Sequence, residues 1–133
     1  GSKYALSHNN GTNALNAAMY AVGLGPGDEI ICTSVTYWAS CTGALSLGAS
    51  VVFCDIDPNT LQMDPKSFEE RITPRTKAVM VVHYMAHPAP MDEIMAIARI
   101  RDKSFFIGYL LKLFFICIGL VFPSLSYYIT GLV

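Results

Sequence analysis

The stretch GLGPGDEIICTSVTYWAS, residues 23–40, holds the end of one helix, a buried strand and the start of a second helix. Gly23 and Gly25-Pro26-Gly27 stop the apolar stripe Leu15, Ala18, Met19 and Val22, so a first helix is predicted from about Thr12 to Val22. Glu29 to Thr33 is a short apolar run bounded by turn residues and reads as a buried strand. Trp38 to Leu47 reads as the next helix, stopped by Gly48.

The alternation continues outward. Ser50 to Cys54 is predicted as a strand, and Asp55-Ile56-Asp57-Pro58-Asn59 as a turn. Asp64-Pro65 is an N-cap followed by proline at the first helical position, which opens a short helix to about Ile72. Ala78 to His83 is a valine-rich strand. Pro88-Ala89-Pro90 then leads into a helix from Met91 to about Arg101, with acids at its start and arginines at its end, as the helix dipole favours. Strands separated by helices over this length imply right-handed crossovers. The class is α/β, a mainly parallel sheet with helices on both faces.

The chain has 133 residues, a 53 % hydrophobic composition and a formal net charge of −1, which fits a globular domain and shows no basic excess for nucleic acid. The average hides a break, because the residues from Ser104 to Val133 carry a single charge, Lys112. Residues 1–103 and 104–133 therefore read as two compositions joined end to end. Cys32, Cys41, Cys54 and Cys117 have no C-x-x-C spacing and lie in apolar runs, so they read as small buried hydrophobes in a reducing compartment, with no metal role. Gly1 to Leu6 lacks the features of a signal peptide, which points to the cytoplasm, and the missing initiator methionine suggests an internal fragment.

SHNNGTNALNAAMY, residues 7–20, poses the functional question. A polar, glycine-containing entry to a helix exposes backbone N–H groups at the positive end of the dipole, where an anion such as phosphate is favoured. Asn and Thr are also ordinary helix caps, so Asn10-Gly11-Thr12 reads as a cap or as a phosphate cup. It matches neither G-x-G-x-x-G nor a Walker loop, which disfavours a nicotinamide-dependent Rossmann enzyme. Tyr37 and Trp38 read either as aromatics covering the sheet edge or as a ring-stacking platform. His83, at a strand end, lies on the side where ligands bind in open parallel sheets, or is a satisfied structural histidine. His87 receives no role.

The segments NNGTNAL, GLGPGDEIICTSVTYWAS, GASVVFCDIDPNTLQMDP and ITPRTKAVMVVHYMAHPAPMDEIMAIAR, in that order, resemble the N-terminal part of the large domain of the DegT/StrS family. These are pyridoxal-phosphate-dependent nucleotide-sugar aminotransferases with the aspartate-aminotransferase type of fold. The resemblance covers roughly residues 1–102. It implies that Asn10, Gly11 and Thr12 hold the cofactor phosphate, with Asn10 standing where the family more often has serine. It implies that Tyr37 stacks on the pyridine ring and that Trp38 packs beside it. Complete relatives move an amino group from a donor amino acid to a keto sugar linked to a nucleotide, and act as homodimers.

The departures from the family concern chemistry. The resemblance places the pyridinium-binding acid on the strand after the helix at 91–101, and the Schiff-base lysine further downstream. Neither is matched in this sequence, and Lys3, Lys66, Lys77, Lys103 and Lys112 do not fit the lysine motif. No catalytic residue is assigned, and the chain is expected to be an inactive, truncated piece of such an enzyme.

The tail, 104–133, does not resemble the family, and it is expected to be hydrophobic and helical. Phe105 to Phe122 is close to the ~18-residue minimum for a membrane span. Its thirteen Leu, Ile, Val and Phe residues favour insertion by roughly 4–8 kcal/mol, against roughly 2.5–3.5 for a central lysine. Three readings stand for it: a frame-shift or read-through product, a membrane anchor that would make the chain a tethered, non-enzymatic binding domain, or a layer packed on the exposed sheet.

Overall fold

The computed structural model describes residues 6–100, 106–112, 115–121 and 126–130. Four α-helices are present among them, α1 (Gly11–Ala21), α2 (Ala39–Ser46), α3 (Pro65–Arg71) and α4 (Met91–Ile100). The strands are β1 (Glu29–Thr33), β2 (Ser50–Cys54), β3 (Thr76–His83), β4 (Phe106–Lys112), β5 (Phe115–Val121) and β6 (Ser126–Thr130). They form one sheet in the order β2-β1-β3-β4-β5-β6. Pairings from β2 to β4 are parallel, and those of β5 are antiparallel. The sheet is mainly parallel, as the alternation of strands and helices requires.

Helices cover both faces. Side chains alternate along a strand, so Ile30 and Cys32 of β1 join Ala78, Met80 and Val82 of β3 against α1 and α2 on one face. Ile31, Val79 and Val81 pack on the other face with Phe68 of α3 and Ile94 of α4. All five residues of β1 are buried, which is why its middle, Ile30-Ile31-Cys32, is apolar on both faces and not alternating.

The helix ends follow local chemistry. Asn10 is extended (φ −162°, ψ 166°), and its side chain accepts the Asn13 N–H at 2.9 Å. At the other end of α1, Gly23 takes φ 71°, which lets its own N–H reach Tyr20 O and the Leu24 N–H reach Met19 O. Asp64 caps α3 through Lys66 N–H at 3.1 Å, with Pro65 at the first helical position.

Two of the conspicuous sequence segments fasten the sheet at the edge where its strands begin. The Asp28 carboxylate accepts from Lys77 Nζ (2.9 Å) and from the Gly25 N–H (3.0 Å), and Lys77 also donates to Gly23 O (2.6 Å). Glu29, only 4 % exposed, accepts from the Thr73 hydroxyl and from Arg75 Nε (2.9 Å). The Thr73 hydroxyl, helped by the Arg75 guanidinium, holds the Glu29 carboxyl below the usual carboxylate range against the opposing pull of burial. GPGDE and TPRTK are thus two halves of one fastening, with the strand pairing shifting register between Glu29 and Ile30.

A helix is expected for the tail from its sequence; residues 104–105, 113–114, 122–125 and 131–133 of it lie outside the described residues. Residues 106–112, 115–121 and 126–130 are strands, with β4 parallel to β3 through pairs from Val79↔Phe106 to His83↔Leu110. An aromatic and β-branched composition suits a pleated strand better than a helix. The unpaired edge of β3 also offers a ready ladder of N–H and C=O groups. The described strands of the tail therefore extend the sheet beyond β3. Among the described residues, no helix is long and apolar enough to cross a membrane.

Candidate active site

The strand order fixes where a ligand can enter. From β1 the chain passes through α2 on one face to β2. From β3 it passes through α4 on the opposite face to β4. The loops leaving the neighbouring strands β1 and β3 therefore diverge, and they open a crevice at the carboxyl ends of these strands. α1 and α2 both run antiparallel to β1 on the same face, so both begin at this edge.

Asn10, Gly11 and Thr12 lie at that edge, at the start of the eleven-residue α1. Asn13 N–H is taken by the Asn10 side chain and Ala14 N–H by the Asn10 carbonyl. Asn13 Nδ2 also donates to Asn9 Oδ1 at 2.7 Å, which fixes the approach to the helix. The capping reading of Asn10 is thus realised. Among the described residues, the N–H groups of Gly11 and Thr12 and the Thr12 hydroxyl carry no acceptor, and these donors remain for an anion.

Tyr37 lies on the turn between β1 and α2. Thr33 Oγ1 donates to Val35 O (3.2 Å), Ser34 N–H to Cys54 O (3.1 Å) and Ser40 N–H to Tyr37 O (2.9 Å), so the backbone is held on both sides of the ring. The Thr36 and Ser40 hydroxyls meet at 2.7 Å. Tyr37 is 54 % exposed and Trp38 63 %, their ring centroids 5.8 Å apart in an edge-on arrangement. Neither covers the core, so the reading of these aromatics as sheet-edge packing is corrected, and so is the packing role expected for Trp38. A short strand followed at once by a tightly hydrogen-bonded turn leaves no depth in which to bury them. The structure brings Asn10 to Thr12 and Tyr37 to one edge, at the starts of two helices in contact.

That contact depends on Gly43 of α2. A Cβ at this position would lie 2.4 Å from Asn16 Oδ1 and 2.7 Å from Met19 Sδ of α1. A side chain at this position would have to displace the Asn16 and Met19 side chains, so glycine suits the close approach of the two helices.

His83 ends β3 beside the crevice. Its Nδ1 accepts the Ala89 N–H at 3.0 Å, and burial holds the ring below the ordinary histidine range. A neutral imidazole that accepts at Nδ1 carries its proton on Nε2. His83 is thus a satisfied histidine whose Nε2–H has no acceptor among the described residues. His87 is exposed and lines a separate depression of about 700 Å³ with Asp57, Asp64 and Glu93.

Sequence reading did not single out Gln62. It is 2 % exposed and its amide bridges both backbone groups of Tyr84, across a separation of 22 residues. Nothing in the spacing of TLQMDP marks it, because its partners are tertiary. Cys32, Cys41 and Cys54 are buried, as expected, while the side chain of Cys117 lies outside the described residues. Burial pushes the Cys54 thiol up to about 12, so it supplies no thiolate near neutrality.

Residues 1–104 match the DegT/DnrJ/EryC1/StrS aminotransferase family. This chain is a member of that family. GDP-perosamine synthase of Caulobacter vibrioides is 48 % identical over 99 residues, which are 74 % of this chain and 27 % of that protein. The crystal structure of 3-amino-5-hydroxybenzoic acid synthase superposes with a TM-score of 0.78 at 35 % identity, covering 81 % of this chain and 28 % of the other. NtdA of Bacillus subtilis, solved with bound cofactor PMP, gives a TM-score of 0.76 at 33 % identity, over 80 % of this chain and 24 % of that one. The chain spans about a quarter of the length of these relatives.

Family members depend on pyridoxal phosphate, and the residues at this edge fit such a group. Two backbone N–H groups and a hydroxyl at a helix start suit its phosphate, and an exposed aromatic ring on the adjacent turn suits its planar ring.

Proposed function

We propose that Asn10, Gly11, Thr12 and Tyr37 are the phosphate-and-ring part of a pyridoxal phosphate site, in a protein that transfers an amino group to a nucleotide-linked keto sugar. The observation that carries this reading is the pair of N–H groups at Gly11 and Thr12 that have no acceptor among the described residues, presented beside the crevice between β1 and β3. When bound, the cofactor would supply an electron sink for breaking bonds at the amine-bearing carbon. Gly11 and Thr12 would hold its phosphate, Asn10 would fix the first turn of α1 so that the donors converge, and Tyr37 would cover one face of its ring.

This chain's own part is binding and orientation, not chemistry. The family's lysine and acid have no counterpart in this sequence, so turnover is not expected of residues 1–133. The division at 103/104 is part of the same proposal, supported by the break in charge and by a family match that ends at residue 104. A cytoplasmic, homodimeric complete protein is the corresponding expectation for the rest.

The test is titration of the 133-residue chain with pyridoxal phosphate, followed by fluorescence of Trp38, which adjoins the site. Saturable quenching that inorganic phosphate reverses is expected, with Thr12→Val weakening it by about tenfold for one lost charge-assisted hydrogen bond. Quenching that ignores both phosphate and Thr12→Val would sink the assignment.

A further inference from the structure

The loop leaving β3 is held in a conformation its residues disfavour. Tyr84–Ala86 form one 3₁₀ turn in which Met85 (φ 53°) and Ala86 (φ 63°) both lie in the left-handed region. Neither is glycine. Such a conformation persists only where the surroundings impose it.

The imposing contact comes from the loop before α3. Asp57 N–H donates to Gln62 O (2.9 Å) and Leu61 N–H to Asp57 O (2.7 Å), while Ile56 and Met63 pair as an isolated bridge, so residues 56–63 close on themselves. This closure turns the Gln62 side chain inward. Its Oε1 accepts Tyr84 N–H at 3.1 Å, and its Nε2 donates to Tyr84 O at 3.0 Å and to Thr60 O at 3.2 Å. Tyr84 O also receives the His87 N–H at 3.0 Å, and the chain then returns so that Ala89 N–H reaches His83 Nδ1. One amide therefore fixes both backbone groups of the residue directly after His83.

We infer that Gln62 is a positioning residue for the β1/β3 crevice: it clamps Tyr84, sets the course of the loop to Ala89, and through the Ala89 N–H holds His83 as the Nε2–H tautomer. His83 and its partner Ala89 follow Val79 and Val81 on the α3/α4 face, so this donor stands at the end of β3 on the opposite face of the sheet from the start of α1. The use of that donor rests on the cofactor reading above. The clamp itself does not.

The experiment uses the full chain with ¹⁵N-labelled histidine. Long-range ¹H–¹⁵N spectra report the His83 tautomer, and amide exchange is followed at Tyr84, Ala89, Ile31 and Met80. In Gln62→Leu, Tyr84 exchange is expected to rise about tenfold and the Nδ1–H form of His83 to appear, with Ile31 and Met80 still protected. Gln62→Glu keeps an acceptor for Tyr84 N–H but loses the donors to Tyr84 O and Thr60 O. It is expected to leave Tyr84 protected while still mixing the His83 tautomers, and it carries the test if the leucine variant does not fold. A purely structural role would lower all four protections together and leave the tautomer alone. That result, or an unmoved His83 in a folded variant, overturns the inference. If the chain shows no pyridoxal phosphate binding while His83 and Tyr84 respond as stated, the cofactor reading falls and the clamp stands.

Discussion

Substituting Gly43 by alanine tests the contact on which the shared helix edge depends. The new Cβ would approach Asn16 Oδ1 to 2.4 Å and Met19 Sδ to 2.7 Å, about 1 Å inside the ~3.5 Å of favourable contact. Met19 is fully buried and has little room to yield. Overpacking of this kind costs about 1–3 kcal/mol, while exchanging a helical glycine for alanine returns about 0.8–1 kcal/mol. A net loss of about 1 kcal/mol is expected, read as a lower urea midpoint at unchanged slope. Asn16 sharpens the test, because its buried Oδ1 has no hydrogen-bond partner among the described residues. Asn16→Ala removes an orphan acceptor and should stabilise the chain by about 1 kcal/mol. With Asn16→Ala in place, Gly43→Ala should then cost less than it does in the parent, with a coupling of at least about 0.5 kcal/mol. If Gly43→Ala instead stabilises by the full propensity gain and the two changes add, α1 and α2 are not in the contact described.

Other expectations follow from the same geometry. Glu29→Gln should cost about 1–2 kcal/mol at neutral pH, for weakened bonds to Thr73 and to an Arg75 that is itself 68 % exposed. Because the folded value of Glu29 lies below its ordinary 4.5, the wild-type advantage is complete above that pH and is lost as the pH falls through the folded value, so the urea midpoints of the two proteins should converge in acid. His83, held below its ordinary 6.5, has the same sign. Its contribution is full above 6.5 and declines on acidification toward the folded value, and His83→Gln should remove that part of the slope. Ala86→Gly relieves a φ of 63° and should raise stability by about 0.5–1 kcal/mol; a lower melting temperature would contradict the strain. Phe68→Ala, at a site 2 % exposed, should cost about 3–5 kcal/mol by thermal or urea unfolding.

Much of this could be read from the chain because local and tertiary signals agree. β1 and β2 fall at 29–33 and 50–54 as expected, since glycine and polar turns bound short apolar runs. β3 starts at Thr76, two residues before its apolar part, because Thr76 and Lys77 belong to the fastening with β1 and look like loop in isolation. Asn10 was legible as a cap because capping is local. Gln62 was not, because its meaning lies in Tyr84, far along the chain. The exposure of Trp38 was hidden for a related reason: hydrophobicity reports a preference for burial, not whether the fold provides a place. In the tail, a continuous apolar run has no period with which to separate helix from strand.

The register shift between β1 and β3 bears on changes in chain length. Glu29 pairs with Thr76, but Ile30 pairs with Ala78, so Lys77 is the extra residue of β3. Loss of Lys77 would straighten the ladder and leave Ala78, Met80 and Val82 on the face they occupy now, at the cost of the tie to Asp28. Loss of Val79 would instead transfer part of β3 to the opposite face. Insertions and deletions among natural variants of this strand should therefore gather at the bulge and be absent above it, however conservative the residue removed.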